Sequence, residues 1–230
     1  MRYLVAALFV VSAIALARPV QAQNEGPPVP VEKASYHWPV FRNEHVMVLR
    51  VIFPPGRGSN YHIHSLDQIS VLVEAAANEG QELGKPPTPA RPGTRGNVGF
   101  TAYSKKSFIH RSTNTATTPF HNVVIALLKA QAGTFAPAAR EGYTQLFDNE
   151  RARGWRLALE PGQSAPAISQ KAPGIRVVID GGEIAEIVPG EPDRGLALRP
   201  GDFYWQDAGV TRGIRNTGTS RIEIAEFELK

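Results

Sequence analysis

The chain has no cysteine. Disulfides, thiolate metal sites and cysteine nucleophiles are therefore excluded. An excess of one charge is also missing. Lys and Arg number 25 against 21 Asp and Glu, a formal net charge of +4. That balance lacks the concentrated basic surface that nucleic-acid binding needs, and the charges read as a solvated exterior. Beyond Leu16 no stretch is long and apolar enough to span a bilayer. Convincing amphipathic helices are absent too. Ala75–Leu83 is the one piece expected to make a helical turn or two.

What is present points to strands. The 230 residues suffice for two small domains or one large all-β domain. Hydrophobic residues make up 42% and charged residues 20%, a balance that fits a folded chain with a real core. Proline and glycine are plentiful, 19 and 21. With no long helical period, such turn content implies many short strands.

The first segment reads as an address. Arg2 opens it, Leu4–Leu16 is apolar apart from Ser12, and Val20-Gln21-Ala22 offers small or tolerated residues where a signal peptidase reads. Residues 1–22 are thus expected to be a signal peptide. The mature chain would begin at Gln23 in the periplasm or outside the cell, with no stable membrane insertion after cleavage. Without Arg2 and Arg18 the basic residues fall to 23 against 21 acidic, a net of +2. A proline-rich lead with Pro27, Pro28 and Pro30 follows and is expected to be extended.

Apolar β-branched runs recur through the rest. They cover Val46–Phe53, Gln68–Val73, Val123–Leu128, Ile175–Ile179, Glu183–Val188 and Ile222–Leu229. In the last of these the alternation changes parity at Ala225, where a bulge is expected. Glu79–Asn97 reads as irregular surface. Ala130–Gly142, rich in Ala, Gly and Pro, reads as a boundary between domains at 23–134 and 135–230. An internal repeat supports the division. The run Val51–Gly56 matches Leu157–Gly162, 106 residues on, and His110-x-x-x-Asn114 matches Arg212-x-x-x-Asn216, 102 residues on.

Chemistry is concentrated in six histidines. His62 and His64 are two apart, so on a strand both imidazoles point to one face and can share one metal ion. A third ligand must come from another strand, and His110 is the candidate. His37, His45 and His121 read as ordinary; His121 opens a strand and could face the barrel lumen, where surface or pocket lining is expected rather than ligation. Tyr61 and Tyr103 flank the two segments. Together with His121 they are the candidates for contact with a substrate.

The segment Gly56-Arg-Gly-Ser-Asn-Tyr-His62-Ile-His64-Ser-Leu-Asp-Gln68 resembles the first cupin motif: Gly, five residues, His-x-His, then Glu. Gly99 to Asn114, through His110, resembles the second, with Lys105 and Ser107 in place of the usual Pro and Gly. The resemblance implies an all-β chain of two tandem cupin-type jelly-roll barrels. It also implies that His62, His64, Gln68 and His110 hold a divalent transition metal, whether Fe, Mn, Ni, Cu or Zn. Gln68 stands where the family has Glu and brings an amide oxygen without charge. Asp67 is the alternative oxygen ligand.

In the second half Ile168, Gln170, Gly174 and Arg212 occupy the ligand positions. An apolar side chain, an amide and a cation build no divalent site. No metal is therefore expected there, and a structural role for Arg212 is favoured over an anion pocket. The resemblance further implies a small-molecule ligand or substrate. Its leading function is an oxidoreductase of dioxygenase type acting on a small oxygen-chelating compound, with an isomerase also within the class. A non-catalytic periplasmic protein binding metal or a small ligand is the alternative, and a barrel with vestigial histidines the third reading. No catalytic base is evident; Glu74 is the nearest acidic residue downstream. A homodimer through strand edges is compatible with the resemblance, although two barrels in one chain offer such edges to each other.

Overall fold

The computed structural model describes residues 26–131 and 139–230. The expected signal segment, residues 1–22, and the expected boundary between 134 and 135 lie outside the described residues. Among the described residues no helix is long and apolar enough to cross a membrane.

The strands form four sheets in two pairs. In the first pair, one sheet runs in the order His37–Arg42, Val46–Phe53, Phe120–Leu127, Gln68–Glu74, Val98–Thr101. The sheet facing it runs Val29–Pro30, His62–His64, Phe108–Asn114, Ala77–Glu82, Thr88–Pro92. The second pair repeats this topology. One sheet is Tyr143–Asp148, Ala152–Leu159, Ile222–Leu229, Gly174–Asp180, Phe203–Gln206, and the other is Ser164–Ser169, Thr211–Asn216, Gly182–Ile187, Arg194–Leu198. Each pair wraps into a jelly-roll barrel.

The near-continuous apolar run Val46–Phe53, interrupted only by Arg50, is explained by burial on both faces. Met47, Leu49, Val51 and Phe53 point into the first barrel and pack against Val124 and Ala126. Val46 and Val48 point the other way. They join Val71 and Ile125 in an apolar layer that continues into Val177 and Phe227 of the second barrel. Ion pairs rim this layer: Arg50 with Asp202 at 3.3 Å, Arg95 with Asp180 at 2.6 Å and Arg151 with Asp67 at 2.7 Å.

The internal repeat survives as paired hydrogen bonds. Gly56 N–H donates to the Asn114 carbonyl and Gly162 N–H to the Asn216 carbonyl, both at 3.0 Å. Both glycines have positive φ, 71° and 80°, a conformation that costs a residue without Cβ little.

Three expectations are corrected. Ala75–Leu83 makes no helical turn; Ala77–Glu82 is a strand beside Phe108–Asn114. Much of Glu79–Asn97 is the hairpin that this strand forms with Thr88–Pro92, an exposed edge where Pro89 and Pro92 are tolerated. Ile222–Leu229 carries no bulge at Ala225, since its ladder with Ala152–Leu159 is continuous. The irregularity lies in the neighbouring strand, between Val178 and Asp180. The parity changes because the lumen face passes from Ile222 and Ile224 to Glu226 and Glu228, while Ala225, Phe227 and Leu229 join the layer between the barrels.

Candidate metal centre

Strand geometry sets the cluster. His62 lies opposite His110 in an antiparallel ladder, and His64 shares the face of His62 because it is two residues on. Gly58 holds the preceding loop against the same strand: a Cβ there would meet the Ser112 carbonyl oxygen at 2.1 Å. One ring nitrogen from each of His62, His64 and His110 lies within 4.8 Å of the other two. The Nε2 atoms of His62 and His64 are 3.0 Å apart, as are those of His64 and His110.

The outer nitrogens of His62 and His64 are committed. His62 Nδ1 donates to the Asn60 carbonyl at 3.0 Å, and His64 Nδ1 donates to Gln68 Oε1 at 2.9 Å. Both Nε2 atoms are thereby left as lone-pair donors turned toward each other. Burial, reinforced by the neighbouring His62, pushes His64 and His110 down to about 3; burial also lowers His62. Unprotonated nitrogens at 3.0 Å repel unless a cation lies among them, and both can sit about 2.0–2.1 Å from one ion. The donor set fits a transition metal with affinity for imidazole.

Gln68 reaches the cavity, but its oxygen is spent on His64 Nδ1 rather than turned to the three Nε2 atoms. It orients a ligand where a fourth ligand was expected. Asp67 faces elsewhere. It accepts from the Ser104 N–H at 2.9 Å and from Arg151. Burial alone would raise its pKa, but these bonds outweigh it and hold the carboxyl low.

The cluster opens on a cavity of about 130 Å³. Tyr103 lines it and stacks on His64 with ring centroids 4.8 Å apart. Tyr61 does not line it: its ring lies under Arg111, 5.1 Å from the guanidinium carbon, on the outer face. His121 is also misplaced by the sequence reading. It points toward the second barrel, where a Cβ on Gly201 would meet its ring at 2.2 Å. Its neighbours Phe120 and Asn122 hold the lumen positions.

The sequence reading missed His37. Its ring lies 4.6 Å from that of His62 and lines the cavity, and its Nδ1 donates to the Ser35 carbonyl at 3.0 Å. Burial, then the nearby His62, pushes it down to about 4. Nothing in the sequence marks it; in the structure Tyr36, just before it, has φ 62°, unusual for a bulky residue.

The second barrel is filled differently. Ile168 lies opposite Arg212 as His62 lies opposite His110. Where the first barrel pairs Gln68 with Ala126, the second pairs Gly174 with Glu228. Arg176 binds Glu226 at 2.8 Å and Glu186 at 3.3 Å; Arg153 binds Glu228 at 2.7 Å; Arg140 reaches Glu226 at 3.1 Å. The space left beside Arg212 is about 10 Å³, room for about one water and not for a carboxylate or phosphate.

No family model and no curated protein matches the chain. Solved structures do. AerE from Microcystis aeruginosa superimposes over 86% of this chain and 98% of its own, with TM-score 0.57 and 13% identity. Salicylate 1,2-dioxygenase from Pseudaminobacter salicylatoxidans covers 80% of this chain and 71% of its own, with TM-score 0.55 and 11% identity. An oxalate decarboxylase variant from Bacillus subtilis covers 81% and 69%, with TM-score 0.56 and 9% identity. Identities this low speak to architecture alone. With the repeated topology and the histidine-lined lumen, they give the chain the two-barrel cupin fold.

Proposed function

We propose that the chain is a metal-dependent oxidoreductase of dioxygenase type, with His62, His64 and His110 holding one divalent transition-metal ion. The observation that carries this reading is the convergence of three imidazoles, with the Nε2 atoms of His62 and His64 only 3.0 Å apart although the outer nitrogen of each already donates to a fixed partner, and His110 Nε2 3.0 Å from His64. Such an ion supplies Lewis acidity and, where redox-active, a meeting place for dioxygen and an oxygen-chelating substrate.

The chain's own residues supply the rest. Gln68 and the Asn60 carbonyl keep His64 and His62 in the ligating tautomer. Phe53, Phe120 and Val51 exclude water from one end of the cavity. His37 offers an unprotonated Nε2 from the wall and can accept a substrate proton. The volume limits the substrate to about one ring, since a cavity of about 150 Å³ takes a benzene. Salicylate and gentisate, named with solved dioxygenase neighbours, are of that size class. Export by the N-terminal segment is part of the same reading.

A binding protein without turnover is the second reading. What favours it is that among the described residues no carboxylate lines the cavity. Purified mature chain should carry about one equivalent of metal, and a His62→Ala/His110→Ala variant little. Oxygen uptake with one-ring chelating substrates then separates enzyme from binder. No metal in either protein, even after reconstitution with iron, manganese, nickel, copper and zinc, would sink both.

A further inference from the structure

One polar side chain on the cavity wall has no part in the histidine cluster. Asn122 stands on the lumen face between Phe120 and Val124. Its Oδ1 is buried with no hydrogen-bond partner among the described residues, and its Nδ2 has none either. Buried polar groups are nearly always paired, and an unpaired one destabilises the fold.

The second barrel shows that the architecture needs no amide here. Asn122 pairs with Val51 in the ladder; the matching pair in the second barrel is Ile224 with Leu157. Ile224 is wholly buried in apolar packing. The amide in the first barrel therefore serves something other than the fold.

We propose that Asn122 determines specificity by binding a hydroxyl of the ligand other than the oxygen that meets the metal. This rests on reading the cavity as a metal-centred substrate site. An amide can both donate to a hydroxyl and accept from it. Among the described residues no Lys, Arg, Asp or Glu lines the cavity, so the wall beside Asn122 offers nothing to balance a charge. The rings of Phe53 and Phe120, stacked with centroids 5.5 Å apart, give a flat apolar body its seat. The ligand class is a one-ring compound with a metal-binding oxygen and a separate hydroxyl.

Hydroquinone and phenol test this by calorimetry on the full mature chain loaded with zinc, which is redox-silent. Wild type should bind hydroquinone about 5–10-fold more tightly than phenol, the worth of one hydrogen bond. Asn122→Ile, which copies the second barrel, should reduce the preference to within about twofold. Its melting temperature should be unchanged or higher. Asn122→Val, a smaller replacement, should behave alike. A preference that survives both substitutions, one absent from wild type, or a lowered melting temperature in both variants overturns the assignment. Zinc content is measured alongside. An Asn122-dependent preference in a chain that takes up no zinc overturns the metal-centre reading alone; bound zinc without the preference overturns only the role of Asn122.

Discussion

Asn216 makes, one repeat later, the same pair of carbonyl hydrogen bonds as Asn114. Asn114 Nδ2 donates to Phe53 at 2.9 Å and Thr118 at 2.8 Å; Asn216 Nδ2 donates to Leu159 and Ser220, both at 2.9 Å. Each side chain ties the end of one strand to the turn that leaves another. Both residues are fully buried. Asn114→Ala and Asn216→Ala should each cost about 1–3 kcal/mol, because the buried Phe53 and Leu159 carbonyls lose their donor. Urea unfolding measures this; a loss below about 1 kcal/mol in either would mean that water replaces the amide.

Gln68 should matter to metal affinity through His64. Removing the partner of an outer imidazole nitrogen typically weakens metal binding about 10–100-fold. Gln68→Leu should fall in that range by chelator competition, whereas Gln68→Glu should bind as tightly as wild type or tighter. Equal affinity for Gln68→Leu would deny the orienting role.

The ion lattice of the second barrel should be a liability when halved. Arg176→Met leaves Glu226 and Glu186 short of a buried partner, a change expected to cost about 3–5 kcal/mol. Arg176→Met combined with Glu226→Leu should recover part of the loss, while metal uptake by the first barrel stays unchanged. If the single variant is as stable as wild type in urea, the lattice is not holding the barrel.

Acid should destabilise the metal-free protein well before the usual carboxylate range. His37, His64 and His110 are pushed down to about 4, 3 and 3. Unfolded histidines take up protons below about pH 6.5, whereas these do not until far lower. Between those values the unfolded chain binds more protons, so stability is complete above about 6.5 and falls as pH drops. Melting temperatures at pH 7 and 5 in the presence of a chelator check this. A His37→Asn variant should show the smaller drop, and a flat profile for wild type would contradict the burial of these rings.

Spacing made part of the site legible and parity could have supplied more. His62, His64 and His110 stood out because two ligands lie on one strand face and the third follows at a repeated interval. Tyr61 and His121 were misassigned although each adjoins a lumen residue, His62 and Asn122. A strand turns alternate side chains to opposite faces, so both had to point outward. His37 and Asn122 were invisible because each is a single residue whose meaning comes from side chains distant in sequence. The acids at Glu226 and Glu228 suggested a bulge because their arginine partners, Arg140, Arg153 and Arg176, arrive from other strands.

The apolar layer between the barrels, from Val46 and Ile125 across to Val177 and Phe227, leaves neither barrel a complete exterior of its own. Opening one strips the other of its cover. Scanning calorimetry should therefore record one transition rather than two. An ion taken up at His62 should raise the melting of the whole assembly, out to Leu229. The barrel without imidazoles is then the ballast of the one that has them: chemically silent, yet sharing every gain in cohesion won at the distant cavity.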